Sequence, residues 1–140
     1  MAGTGKRIGL VWQGNPRQVD EPHRSIPLRL LAPLLELGGA TFYGLQRDHG
    51  REQMDDPRVR GRLVDLGPGL DDLATTAAIL MHLDLVVTTC TAMAHLAGAL
   101  GRPVWVLLKR GADWRWLLDR SDSPWYPTAR LFRQRRVGDW

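Results

Sequence analysis

A chain of 140 residues with 44% hydrophobic and 24% charged side chains has the make-up of one globular domain, 1–140, large enough for a single sheet covered by helices. No apolar run approaches the roughly 20 residues that span a bilayer, no charged start leads into an apolar export segment, and a lone cysteine cannot staple a fold, so a cytoplasmic domain with no membrane span is expected. The net charge of +4 comes from arginines scattered along the chain, apart from Arg130, Arg133, Arg135 and Arg136. No nucleic-acid-binding pattern accompanies them, which favours a surface for small anions over a nucleic-acid partner.

In chain order, GTGK at residues 3–6 imitates the end of a phosphate-binding loop. It precedes the first strand, lacks the upstream glycine and has Arg7 where Ser or Thr belongs, so it reads as a terminal linker. Arg7–Trp12 (RIGLVW) is the first predicted strand, and the polar loop QGNPRQVDEPHRS follows it. Pro27 is suited to open a helix over LRLLAPLLEL, with Ser25 as a nearby capping hydroxyl and Pro33 placed to kink or split it before Gly38 and Gly39. Thr41–Gln46 reads as the second strand. The charged stretch RDHGREQMDDPRVRG then crosses the surface with room for a short helix. Arg62–Leu66 is a short third strand, GPG a turn, and Asp71 or Asp72 caps the helix LATTAAILMHL.

The next segment is the most informative. Leu85–Thr89 and Val104–Leu108 are β-branched or apolar runs of buried-strand length. Between them, Thr91 is a good N-cap, Ala92–Leu100 holds no β-branched residue, Gly101 suits a helix stop and Pro103 cannot continue one. The three pieces form a compact βαβ unit. After Leu108 comes the long aromatic loop KRGADWRWLLDRSDSPWYPT, then a last short strand, ARLFRQ. Alternation of strand and helix throughout predicts an α/β fold, a Rossmann-like doubly wound parallel sheet.

In such a sheet the loop after the first strand and the start of the helix at Thr91 meet at the carboxyl edge, where free N–H groups and the helix dipole favour an anion. Thr91 and His95 lie four residues apart on one helical face, and Ala92, Ala94, Gly98 and Ala99 allow close approach. The competing reading is that the small residues serve helix-on-sheet packing alone and His95 is a satisfied, partly buried histidine. Cys90 with His95 could form a nucleophile pair, but nothing in the sequence orients the base. The histidines at 23, 49, 82 and 95 have no metal-ligand spacing and no Asp-x-Asp occurs, so neither a metal nor another cofactor is expected. Trp114, Trp116, Trp125 and Tyr126 could stack on a ligand ring, but packing against protein is the favoured reading.

Taken together, GLVWQGNP, HRSIPL, LQ after the second strand, CTAMAHLAGALGRPVWVLL and DWRWLLDRSDSPWYPTARLFRQ resemble the nucleotide-sugar-binding half of heptosyltransferase-like glycosyltransferases. The branch is the one found at the C-terminal end of bacterial tetratricopeptide-repeat proteins, and the resemblance runs through essentially the whole chain. It implies one half of a GT-B fold, in which two Rossmann-like domains face each other across a cleft, with the acceptor domain and the repeats absent here. By the resemblance, Thr91, Ala92 and His95 contact the donor diphosphate. Gly14, Asn15 and Arg24 contact the same phosphates, although a solvated Arg24 is the alternative, and Gln46 and the polar stretch beyond it, as far as Glu52, lie near the nucleoside. Relatives carry an aspartate before Thr-Ala or Thr-Gly where this chain has Cys90, and a thiol is a weak, uncharged acceptor for donor hydroxyls.

The function so implied is binding of a nucleotide sugar, without metal or other cofactor, for sugar transfer to an acceptor hydroxyl. No catalytic residue is assigned within this segment, and it is expected to be inactive alone. Two alternatives stay open: a nucleotide-binding or scaffolding module that has lost catalysis, and a nucleotide-sugar epimerase, against which the aromatic loop argues.

Overall fold

The computed structural model describes residues 5–140, so Gly3 and Thr4 of the GTGK stretch lie outside the described residues. Within these residues six strands form one sheet: β1 (Lys6–Val11), β2 (Ala40–Gly44), β3 (Leu63–Asp65), β4 (Leu85–Thr89), β5 (Val104–Leu108) and β6 (Ala129–Arg133). Every pairing is parallel, and the order is β3-β2-β1-β4-β5-β6. This is the Rossmann-like doubly wound arrangement, with the strand order reversing between β1 and β4. The run LVVTT forms the centre because neighbours on both sides and cover on both faces bury Val86, Val87, Thr88 and Thr89.

Two apolar clusters lie on the two faces. Leu10, Trp12, Phe42 and Val87 point to one, where Leu28, Leu35 and Val59 cover them. Val11, Val86, Val104, Val106, Leu108 and Leu131 point to the other. There the helices α3 (Leu73–Met81) and α4 (Ala92–Ala99) supply Leu80, Ala94 and Ala97. Adjacent strand residues divide between the clusters, as the two-residue strand period requires. Among the described residues no α-helix connects β5 to β6, only a 3-10 turn at Trp114–Trp116. The aromatic loop takes that place, and its Trp116 is fully buried in the second cluster.

The local signals explain most element ends. Asp72 caps α3, its Oδ1 accepting from the Thr75 N–H at 2.6 Å. Helix α4 closes in a Schellman motif: Arg102 N–H donates to the Ala97 carbonyl at 2.9 Å, Gly101 N–H to the Gly98 carbonyl at 3.0 Å, and Gly101 takes φ +66°. The leucine-rich stretch after Pro27 is split, into a 3-10 turn at Leu28–Leu31 and the single-turn helix α2 (Ala32–Leu35). Pro33 has no N–H to carry a continuous helix through that point. Pro27 stands at the N-cap of the 3-10 turn and has no capping side chain; the turn's first N–H, that of Leu28, donates to the Gln53 amide oxygen at 2.8 Å. A further short helix, α1 (Glu21–Arg24), interrupts the loop after β1 and was not expected. Among the described residues no helix is long and apolar enough to cross a membrane.

Candidate functional site

The loop after β1 leaves the sheet at Trp12 and returns at Ile26, whose N–H donates to the Trp12 carbonyl at 2.8 Å. Trp12 is buried, and its indole N–H donates to the Gly50 carbonyl at 2.9 Å. Gln46, just beyond β2, holds the loop's first residues. Its Oε1 accepts from the N–H groups of Trp12 (3.2 Å) and Gln13 (3.1 Å), and its Nε2 donates to the carbonyls of Gln13 (2.8 Å) and His49 (2.7 Å). A glutamine amide has two acceptor sites and two donor hydrogens, so this one is fully occupied by protein. Gln46 therefore lines the site as a wall that fixes the loop.

Further along the loop, the Asn15 side chain accepts from the Arg17 N–H at 2.9 Å and its carbonyl from the Gln18 N–H at 3.0 Å, which makes a tight turn. Helix α1 carries Arg24 at its end, and the guanidinium donates to Gln18 Oε1. Asp20 pairs with Lys109, the residue after β5, at 3.0 Å. The hydrogen bond from Lys109, and then its charge, hold the Asp20 carboxyl below the ordinary range. The loop is thus tied to β2 at one end and to β5 at the other.

Opposite lies the start of α4. Thr91 has the extended backbone of an N-cap, but its hydroxyl lies 3.0 Å from Thr88 Oγ1 and makes no bond to the first helical turn. The sequence places the cap residue correctly, while the side chain is engaged elsewhere. His95 Nδ1 is 2.9 Å from the Tyr126 hydroxyl, and the imidazole stacks on Trp116 with centroids 5.0 Å apart and planes at 20°. The Trp116 indole N–H donates to Cys90 Sγ at 3.2 Å. Gly98 makes this assembly possible, since a Cβ there would come within 2.5 Å of the Tyr126 ring. Burial first, and the Arg115 charge second, lower the His95 pKa, with Asp113 opposing.

Between the two sides lies an open cavity of about 700 Å³. Gly14, Asn15, Arg24, Cys90, Thr91, Ala92, His95 and Gln46 all line it, so the sequence-derived candidates converge, with one exception. Glu52 is exposed on the 3-10 turn Arg51–Asp55, away from the cavity wall. That turn sends Gln53 inward instead, its Oε1 accepting from the Leu28 N–H at 2.8 Å and its Nε2 donating to Gln13 Oε1 at 3.1 Å. Sequence reasoning missed Arg17, Asp113 and Arg115 and took in Arg47 and His49 only as part of the polar stretch after Gln46; all five also line the cavity. Their common signal is that each lies in a loop following β1, β2 or β5. The lining holds four arginines against two aspartates. Asp113 is engaged by Arg115 at 3.0 Å, and Asp48 lies 3.7 Å from Arg47. The surplus is cationic. Among the described residues no group of three or more His, Cys, Asp or Glu side chains converges as a metal site would require.

The aromatic loop divides. Trp116 is buried and Tyr126 half-buried, whereas Trp114 and Trp125 are exposed. Packing within this chain accounts for the first pair only.

No protein-family profile matches the chain, and no solved structure matches it significantly. The chain is similar to Protein FlbA of Caulobacter vibrioides, with 30% identity over 145 residues that take in 99% of this chain and 24% of that protein. It thus spans about a quarter of the length of the curated relative it matches.

Proposed function

We propose that this chain is the donor-binding half of a heptosyltransferase-like, GT-B glycosyltransferase and holds the diphosphate of a nucleotide sugar in the cavity between the loop after β1 and the start of α4. The observation that carries the reading is the position and charge of that cavity. It opens at the carboxyl edge of β1 and β4, where the strand order reverses, and its walls hold four arginines against two aspartates. The start of α4, which no side-chain oxygen caps, lies in the wall, so the positive end of the helix dipole faces the same space.

In this reading an acceptor hydroxyl displaces the nucleoside diphosphate from the sugar, and negative charge grows on the departing diphosphate. Arg24 and the helix start supply fixed positive charge to it. His95 contributes as a hydrogen-bond donor, and burial and the Arg115 charge hold its pKa below the ordinary histidine value in the unliganded chain. The acceptor domain and any tetratricopeptide repeats are supplied by other sequence, and the setting is the cytoplasm. A second reading, a nucleotide-binding module without transferase activity, is favoured by Cys90: where the resembled enzymes carry an aspartate, the thiol here is engaged by the Trp116 indole.

Calorimetry with the 140-residue chain tests the site. A nucleoside diphosphate is expected to bind more tightly than the matching nucleoside, and Arg24→Ala and His95→Ala each to weaken it about tenfold, since a hydrogen bond to a charged group contributes roughly 1.5–3 kcal/mol. Equal binding of diphosphate and nucleoside by the unaltered chain would overturn the reading.

A further inference from the structure

Beside the cationic cavity lies a second, apolar one of about 310 Å³, lined by His95, Trp114, Arg115, Trp116, Trp125 and Tyr126. His95 and Arg115 belong to the walls of both, so the two are adjacent. Two of the lining indoles are far more exposed than their size predicts, Trp114 at 69% and Trp125 at 59%. Both are held in place. The Arg115 guanidinium sits over the Trp114 ring, 4.9 Å from its centroid, and the Trp125 indole N–H donates to the Arg115 carbonyl at 3.0 Å. They are fixed aromatic platforms at the mouth of an apolar recess, next to the imidazole assigned to phosphate.

We propose that this aromatic recess seats the sugar ring of the nucleotide sugar, a subsite that rests on the donor-binding reading above. Three observations point to a sugar in preference to the base. At about 310 Å³ the recess is at the small end of ligand cavities and takes one ring, not a whole nucleoside. Its wall is mainly aromatic, so a base inserted edge-on would leave its ring nitrogens and carbonyls unpaired, whereas a pyranose lays its C–H face on an indole and keeps its hydroxyls in water. The sheet order also separates the two ends of the ligand. From a diphosphate at the start of α4, after β4, the polar residues following β2 lie on one side and the aromatic loop following β5 on the other. The polar end suits ribose and base, and the aromatic end is left for the sugar.

The test uses calorimetry on the 140-residue chain with UDP, GDP, ADP and dTDP, each beside its glucose or mannose conjugate. For a diphosphate that binds, the sugar is expected to raise affinity about fivefold, the scale of a well-formed aromatic stack. The double variant Trp114→Ala/Trp125→Ala is expected to reduce that preference to less than twofold, and Trp125→Phe, which keeps a ring, to retain most of it. No preference in the unaltered chain, or one that survives in the double variant, overturns the sugar subsite alone. Failure of all four diphosphates to bind overturns the donor-binding reading and the subsite with it.

Discussion

The imidazole of His95 has one nitrogen on the Tyr126 hydroxyl and one face on Trp116, and it still borders the cationic cavity. A partly buried, hydrogen-bonded histidine and a cavity-lining one are therefore the same residue here. The tautomer sets the direction of the bond to Tyr126: with the ring proton on Nε2 the hydroxyl donates to Nδ1, and with it on Nδ1 the hydroxyl accepts. Protonating the ring further is opposed by burial and by Arg115. The unfolded chain takes up this proton as pH falls below about 6.5, while the folded chain does so only at lower pH. Stability from this group is thus complete above about pH 6.5 and is lost as pH falls through the folded-state pKa below it. Urea midpoints at pH 7.5 and 5.5 are expected to differ more for the parent chain than for His95→Gln. An equal fall in both would show that His95 carries none of the dependence.

Among the elements, the loop after β1 shows how a polar segment without regular structure is made definite. It is framed by the buried Gln46 amide, by the Trp12 carbonyl and indole, and at its far end by the Asp20–Lys109 pair. The exposed ion pair contributes little, because Asp20 stands in water. The amide is the stronger restraint, since its removal leaves several backbone groups without partners. Gln46→Leu, close in size, is expected to lower stability by about 2–4 kcal/mol, the desolvation penalty of unpaired buried groups, and to weaken diphosphate binding with it. Urea denaturation and calorimetry on one preparation read both effects. A loss of stability with unaltered diphosphate binding would show that the loop does not form the phosphate wall.

On the scale of the whole molecule, strand order brings together at one edge loops that are far apart in sequence, and the cationic cavity they line is open to solvent. A ligand bound there keeps one side in water, where charge–charge terms are screened. Dissociation constants of roughly 10 μM to 1 mM, about −7 to −4 kcal/mol, are expected for nucleotide sugars. Transfer needs a base to take the acceptor's proton, and the cavity is poorly supplied. The Asp113 carboxyl is held below the ordinary range, first by the Arg115 N–H and then by its guanidinium, which makes it a weak base. The chain alone is therefore expected to bind donor without transferring sugar, followed as release of nucleoside diphosphate in the presence of candidate acceptors. Steady turnover that His95→Ala abolishes would place the catalytic group within this chain and contradict the two-domain reading.

Local patterns were enough to read the strands, their parallel α/β arrangement, the βαβ unit from Leu85 to Leu108 and the start and stop of α4. Those features rest on short-range causes: alternation or runs of apolar residues, the conformational freedom of Gly101, the missing N–H of proline and the acceptor on Asp72. The same rules bring Gly14, Asn15, Arg24, Thr91 and His95 to one cavity, because loops that follow parallel strands share an edge of the sheet. The long-range polar pairings, by contrast, came only with the assembled fold. Gln46 reaches a residue 33 positions away, Trp116 one 26 away and Tyr126 one 31 away. Glu52 turns to solvent while its neighbour Gln53 turns inward, a choice that the 3-10 turn makes and composition does not. Such pairings depend on rotamers and on the distance between elements that meet only when the sheet is assembled, and no local pattern carries that information.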